Sequence, residues 1–175
     1  SVRQRILDIG GGSGAYCIEA CSANPHLKAT VLDIPEVTLV AREYIAENRL
    51  SDRIITHDAD FNKDPFPQDA DIAIMASNLP MYGRRAIQAV IKKIYHALLP
   101  NGEFHLIGEA LNEDRSGPID PAIWGLAQTL HNSTGMAHSI IECTDYIKNA
   151  GFQSIEINEF VPGVLTRISG VKSSN

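Results

Sequence analysis

The chain has 175 residues, and its 15 Lys and Arg against 21 Asp and Glu leave a formal charge of −6. At this length a globular chain buries roughly 70% of the surface it exposes when unfolded, so a single domain over residues 1–175 needs no metal or disulfide staple. The acidic balance and the scattered basic residues argue against a phosphate-backbone binder, and no apolar run approaches the roughly 20 residues of a membrane span, so neither nucleic acid nor membrane is an expected partner.

The first predicted element is the strand Arg5-Ile6-Leu7-Asp8-Ile9, which stops in Gly10-Gly11-Gly12-Ser13-Gly14 and gives way to a helical run from Ala15. Cys17 and Cys21 lie on that helix and, with Cys143, make an odd count without C-x-x-C spacing. This pattern fits reduced, buried thiols and a cytoplasmic location. A second strand, Ala29–Asp33, is followed by Pro35, well placed in the first turn of a helix reaching about Asn48. A third strand closes at Arg53–Asp58, and a fourth is predicted over Asp71–Ala76. The next helix runs from about Arg84 to Leu99 with Ile87, Val90, Ile91, Ile94 and Leu98 apolar, stopped by Pro100-Asn101-Gly102.

A fifth strand over Glu103–Glu109 leads into a polar, glycine-containing stretch, Asn112 to about His138, expected to be irregular around an apolar patch at Trp124. A helix near Ile140–Ala150 with a Gly151 stop precedes two last strands, Ser154–Ile157 and Val164–Ser169. Alternating strands and helices predict an α/β fold: a mostly parallel seven-stranded sheet with helices on both faces. The last two strands have no room for a crossover helix between them and are expected as an antiparallel pair.

Glycines at 10, 12 and 14 between a strand and a helix allow close approach of backbone to a ligand. Doubly wound sheets hold ligands over the carboxyl ends of their strands, where this loop, Asp33 and Asp58 all fall. Asp33 is placed to accept ribose hydroxyls and Asp58 an adenine amino group, which points to an adenosine. Gly10, Gly12 and Ala15 also meet a loose G-x-G-x-x-A dinucleotide pattern. Asp8, two residues before Gly10, would repel a pyrophosphate yet suits the cationic amino acid end of S-adenosylmethionine, so the sulfonium cofactor is expected over NAD(P).

Leu7-Asp8-Ile9-Gly10-Gly11-Gly12-Ser13-Gly14, Val31-Leu32-Asp33-Ile34-Pro35-Glu36-Val37, Asp58 with Phe61 and Asp64-Pro65-Phe66-Pro67, Leu98-Leu99-Pro100-Asn101-Gly102-Glu103 and Asn149-Ala150-Gly151-Phe152 together resemble the Rossmann-like catalytic domain of class I S-adenosylmethionine-dependent methyltransferases. The nearest subgroup is the small-molecule O-methyltransferases of plant phenolic and bacterial natural-product pathways. The resemblance implies that Asp8, Gly10, Gly12 and Gly14 hold the methionine end, Asp33 with Ile34 the ribose, Asp58 and Phe61 the adenine, and Ser77 and Asn78 the edge of the pocket. It also implies a small-molecule acceptor from secondary metabolism. The N-terminal helical dimerisation domain usual in this subgroup has no counterpart in these residues, so a homodimer or a partner subunit is expected to cover that region.

The subgroup's general-base His, in a Leu-His-Asp-Trp run, is replaced here by Leu79-Pro80-Met81-Tyr82, and Met136-Ala137-His138 stands where an acidic residue is common. Proline cannot take a proton. Replacement bases are His131 or His138; otherwise the acceptor ionises unaided, the methyl goes to carbon or nitrogen, or the domain binds cofactor without turnover. Tyr82 and Trp124 are candidates to line the acceptor pocket, and Arg84 to clamp an acceptor carboxylate. His105 reads as a core residue of the fifth strand. His57, His131 and His138 lack H-x-x-x-H spacing, so no metal is expected. An NAD(P)-dependent reductase is the rival enzyme reading.

Overall fold

A computed structural model describes residues 3–131 and 134–174. Seven strands form one sheet: β1 (Arg5–Ile9), β2 (Lys28–Asp33), β3 (Ile54–Asp58), β4 (Ala70–Ala76), β5 (Leu98–Gly108), β6 (Gln153–Val161) and β7 (Leu165–Val171). Their order is β3-β2-β1-β4-β5-β7-β6, with β1 to β5 parallel and β7 antiparallel to both of its neighbours. The expected α/β class and terminal antiparallel pair are borne out. The last strand in sequence is nonetheless not the last in the sheet, because β7 inserts between β5 and β6.

Helices α1 (Ala15–Ala23) and α2 (Pro35–Glu47) cover one face, and α3 (Arg84–Ala97) and α5 (Ile140–Ala150) cover the other. The division follows from strand alternation. Leu7, Ile9, Leu32, Ala73, Met75, Phe104 and Leu106 pack on the α3–α5 side, with Ile87, Val90, Ile91, Ile94 and Ile147 opposite them. Ile6, Ala29 and Val31 meet Cys17, Ile18, Cys21, Ala41 and Ile45 of the α1–α2 layer. All three cysteines are buried and unpaired. α5 has the bounds expected from sequence because both ends are capped. Ser139 and Glu142 form a reciprocal capping box, and Gly151 closes the helix in the left-handed region at φ 110°.

Two expectations need correction. α3 ends at Ala97 and β5 begins at Leu98, five residues before the predicted start. Leu98 pairs with Ala70 and the ladder resumes at Ile72–Glu103, so the residues between are accommodated as a bulge on β5 instead of terminating a helix. The stretch read as irregular contains α4 (Ile119–His131). This helix escaped notice because its apolar residues Ile119, Ile123, Leu126 and Leu130 are exposed while Pro121 and Gly125 are its buried positions. Gly125 is required by contact: a Cβ there would stand 2.4 Å from the Ala137 backbone nitrogen, so the return chain lies directly on the helix.

Candidate active site at the carboxyl edge of the sheet

The carboxyl ends of β1, β2 and β4 converge on the glycine loop. Gly10 and Gly11 both donate to the Leu32 carbonyl, at 2.8 and 3.3 Å, and Gly14 donates to Gly11 at 2.9 Å, which ties the loop to the end of β2. Gly10 has φ 66°, and a Cβ on it would meet the Asn78 amide at 2.4 Å. Gly12 has φ 57° and nothing within 4 Å of its side-chain position, so the loop presents bare backbone to open space.

Asp33 fixes the loop's distance from β2. Its carboxylate accepts from the Gly12 N–H at 2.9 Å and from the Ile34 N–H at 2.8 Å, leaving lone pairs on both oxygens for further donors. Asp8 lies beneath the loop, 1% exposed. Burial pushes its carboxyl up to about 7, against a lowering contribution from the Cys17 thiol and with a further raise from the Asp33 charge. Cys17 Sγ donates to Asp8 Oδ2 at 3.5 Å, and Oδ1 is buried without a hydrogen-bond partner. Asn78, also buried, donates to the Ile9 carbonyl at 3.1 Å and keeps its own Oδ1 unpartnered. Ser77, which leads into it, adopts φ 57°. Two acceptor oxygens without donors therefore sit around the base of the loop.

Beyond β3 the two nearby acids differ. Asp58, expected at the adenine, faces α2: Oδ1 accepts from Thr38 and from Arg42, both at 2.6 Å, and the side chain is 43% exposed. Asp60, which sequence reasoning did not single out, precedes Phe61; it takes the Asn62 N–H at 2.9 Å and pairs with Lys63 at 2.8 Å. Phe61 meets Tyr82 edge-on at 5.2 Å between centroids. This contact sets Tyr82 beside the Asp60–Phe61 turn; burial raises its hydroxyl pKa, a hydrogen bond from Asn62 opposes this, and the charges of Asp60 and Asp33 raise it further. The available signal for Asp60 was its place beside Phe61 in one motif run.

Pro80 is buried in the 3-10 turn Leu79–Met81, its carbonyl taken by the Met136 N–H at 3.0 Å. His138 is fully buried, and burial holds its pKa below the ordinary value, so the ring is neutral. Its Nε2 donates to the Tyr82 carbonyl at 2.8 Å and Nδ1 accepts from the Tyr146 hydroxyl at 3.1 Å, which uses both nitrogens. His131 ends α4, exposed, with Nδ1 donating to the Ala127 carbonyl at 2.8 Å. Arg84 is engaged with Glu142, its Nε at 2.9 Å, and Arg115 joins the same carboxylate at 2.8 Å. Burial opposes ionisation of Glu142, but the Ser139 N–H and the two guanidiniums hold its pKa below the usual range. Trp124 lies partly exposed on α4, which packs against the turn holding Pro80. Among the described residues no three His, Cys, Asp or Glu side chains cluster as metal ligands, and no helix is long and apolar enough to cross a membrane.

Comparison with known proteins follows the same residues. A 3-hydroxy-5-methyl-1-naphthoate 3-O-methyltransferase of Streptomyces sahachiroi is 36% identical over 172 residues, 97% of this chain and 49% of that protein. An L-tyrosine C(3)-methyltransferase of Streptomyces lavendulae is 31% identical over 149 residues, 85% of this chain and 41% of that protein. Human N-acetylserotonin methyltransferase, solved in complex with SAM, superposes with a TM-score of 0.83 at 28% identity, covering 98% of this chain and 48% of that chain. The chain thus spans about half the length of the relatives it matches. The O-methyltransferase domain family matches residues 1–153, and the chain belongs to that family.

Proposed function

We propose that the chain binds S-adenosylmethionine over the carboxyl edge of the sheet and supports methyl transfer to a small-molecule acceptor. The cofactor supplies a methyl group already activated by its sulfonium. The residues present suit it. The unpartnered Asp8 Oδ1 and Asn78 Oδ1 call for donors that an ammonium can provide, Gly12 offers open backbone, and Asp33 has lone pairs left for ribose hydroxyls. Phe61 and Asp60 take the adenine side, with Ile34 beside the ribose. Asp58 supports this wall through Thr38 and Arg42 instead of meeting the base.

The protein's share of catalysis is then positioning and exclusion of water, and well-oriented reactants can gain roughly 7–11 kcal/mol in this way. Tyr82 and Trp124 are assigned to the acceptor side, where aromatic surface suits a planar compound. Arg84 and His138 are assigned to holding the Tyr82 segment against α5, since their polar atoms are used there. Oxygen is the favoured target by family; a relative named as a tyrosine C(3)-methyltransferase keeps carbon in play. We place the protein in the cytoplasm on its three unpaired cysteines, and expect a homodimer or partner subunit to complete the acceptor side.

The observation that carries the reading is the buried Asp8 carboxyl, with one oxygen lacking a donor beneath an open glycine loop. Calorimetric titration with S-adenosylhomocysteine, NADH and NADPH tests it. Micromolar binding of the homocysteine compound alone, lost in Asp33→Ala, is expected; nicotinamide binding instead would restore the reductase, which nothing else favours. Pro80 and the fully engaged His138 favour a second reading, a cofactor-binding domain without turnover. Product labelling from a tritiated methyl donor separates the two.

A further inference from the structure

Cys17 sits in the first turn of α1 and is fully buried. It shares its layer with Ile6, Val31, Ala41 and Ile45, where a thiol is an ordinary apolar filler. One of its contacts is polar. Sγ donates to Asp8 Oδ2 at 3.5 Å, and among the described residues no other donor reaches that carboxyl. Gly11 closes the same side: a Cβ on it would stand 2.8 Å from both Cγ and Oδ2 of Asp8 and 2.9 Å from Val31 Cγ1. The carboxyl is therefore held asymmetrically, with Oδ2 packed between the loop and α1 while Oδ1 has no donor.

The thiol is the donor of this pair. Burial, then the Asp8 charge and the hydrogen bond itself, hold the Cys17 pKa well above the ordinary value, so sulfur keeps its proton while Asp8 titrates. On Asp8 the same bond opposes burial, which raises the carboxyl. The other titratable groups bearing on the pair lie on two elements. Asp33, at the end of β2, raises Asp8. On α1, Tyr16 feels the charges of Asp8 and Glu109, and Cys21 lies one turn on from Cys17. β4, the other neighbour of β1, sets Ile74 opposite Asp8.

Resting on the methyl-transfer reading and its cofactor, we propose that Cys17 is a positioning residue for the amino acid end of S-adenosylmethionine: its thiol occupies Asp8 Oδ2 and so leaves Oδ1 to meet the ammonium. Sulfur takes no part in the transfer itself. A donor bonds more strongly to a carboxylate than to a carboxylic acid, so the thiol also keeps Asp8 ionised further down the pH scale than burial alone allows.

The test needs no acceptor. The native chain, Cys17→Ala and Cys21→Ala are titrated with S-adenosylhomocysteine from about pH 6 to about pH 8.5. Native affinity should rise as Asp8, raised to about 7, ionises. Cys17→Ala should move the midpoint of that rise up by roughly half a pH unit or more, which is binding about threefold weaker at the acid end and within about twofold at the alkaline end. Retained alkaline binding certifies that the variant is folded. Cys21→Ala, in the same core layer, should leave the midpoint in place. A loss of the same size at every pH, or an equal shift from Cys21→Ala, would reduce Cys17 to packing and overturn the assignment. The native chain supplies a second readout that no folding defect can blur, the infrared S–H stretch of its three thiols. One band should move over the same pH interval and be missing from Cys17→Ala; no responsive band overturns the assignment as well. Native binding without pH dependence would overturn it and leave the cofactor reading intact. A native chain that binds none of the ligand at any pH would sink the cofactor reading itself, and with it this one.

Discussion

Replacing Asp8 by Asn tests the central electrostatic feature of the cleft. Asn keeps the shape of the side chain and cannot ionise. Asp8 is buried, and its carboxyl is raised to about 7 from an ordinary 3.8, so the native state holds a proton that the unfolded chain has given up over that interval. Stability therefore falls as pH climbs from about 4 to about 7 and levels off above. The difference of roughly three pKa units sets a ceiling of about 4 kcal/mol on the change. Exchanging the buried carboxyl for an amide also disturbs its hydrogen bonding, at a cost of about 1–3 kcal/mol at every pH. Asp8→Asn should thus be the less stable protein near pH 4 and the more stable near pH 8. Melting temperatures of the two ligand-free proteins measured side by side should cross between these limits, at about 2–4 °C for each kcal/mol in a domain of this size. Curves separated by a constant offset would refute the argument, because they would mean that Asp8 carries the same charge throughout. S-adenosylhomocysteine should bind the native chain more tightly as pH rises through 7 and should bind the variant at least tenfold more weakly above it.

Ser139→Ala removes the acceptor of the Glu142 N–H and should cost about 1 kcal/mol, read as a small fall in melting temperature. His138→Leu leaves the Tyr82 carbonyl and the Tyr146 hydroxyl without their partner and should cost about 2–4 kcal/mol in denaturant titration. His131→Ala, at the exposed end of α4, should stay within about 0.5 kcal/mol of the native chain. Leu130→Glu, at a position 80% exposed, should likewise be near neutral; a loss beyond about 1 kcal/mol would show that the outer side of α4 is covered in the protein as prepared.

The sequence told most where a boundary is marked by its own residues. Ser139, Glu142 and Gly151 bracket α5, and Gly10, Gly12 and Gly14 mark a loop whose backbone must turn the left-handed way. It told least where a boundary depends on distant partners. Pro100-Asn101-Gly102 looks like a helix stop, yet the neighbouring strand β4 captures Leu98 through Ala70 and the segment becomes part of β5. α4 hides because the usual rule that apolar residues mark the inner face is inverted on it. Within the site, Asp58 and Asp60 are two residues apart, and only the position of Arg42 and Thr38 on α2 shows which donors the Asp58 carboxylate holds. His138 read as a candidate base, because nothing local reveals that Tyr82, 56 residues earlier, would occupy its Nε2.

The insertion of β7 between β5 and β6 has a consequence for the order of assembly. β6 is made first, yet among the described residues its sole neighbour in the sheet is β7, so it has no edge to join until residues 165–171 arrive. Until then β5, an eleven-residue strand through the middle of the fold, keeps one side of its backbone unsatisfied, the kind of edge that recruits foreign strands. A chain cut before Leu165 loses one strand from its sequence but two from its sheet. Nicking between Val161 and Leu165 would be tolerated only as long as the severed piece stayed in place, so residues 165–171 work as a keystone for the β5 side of the sheet.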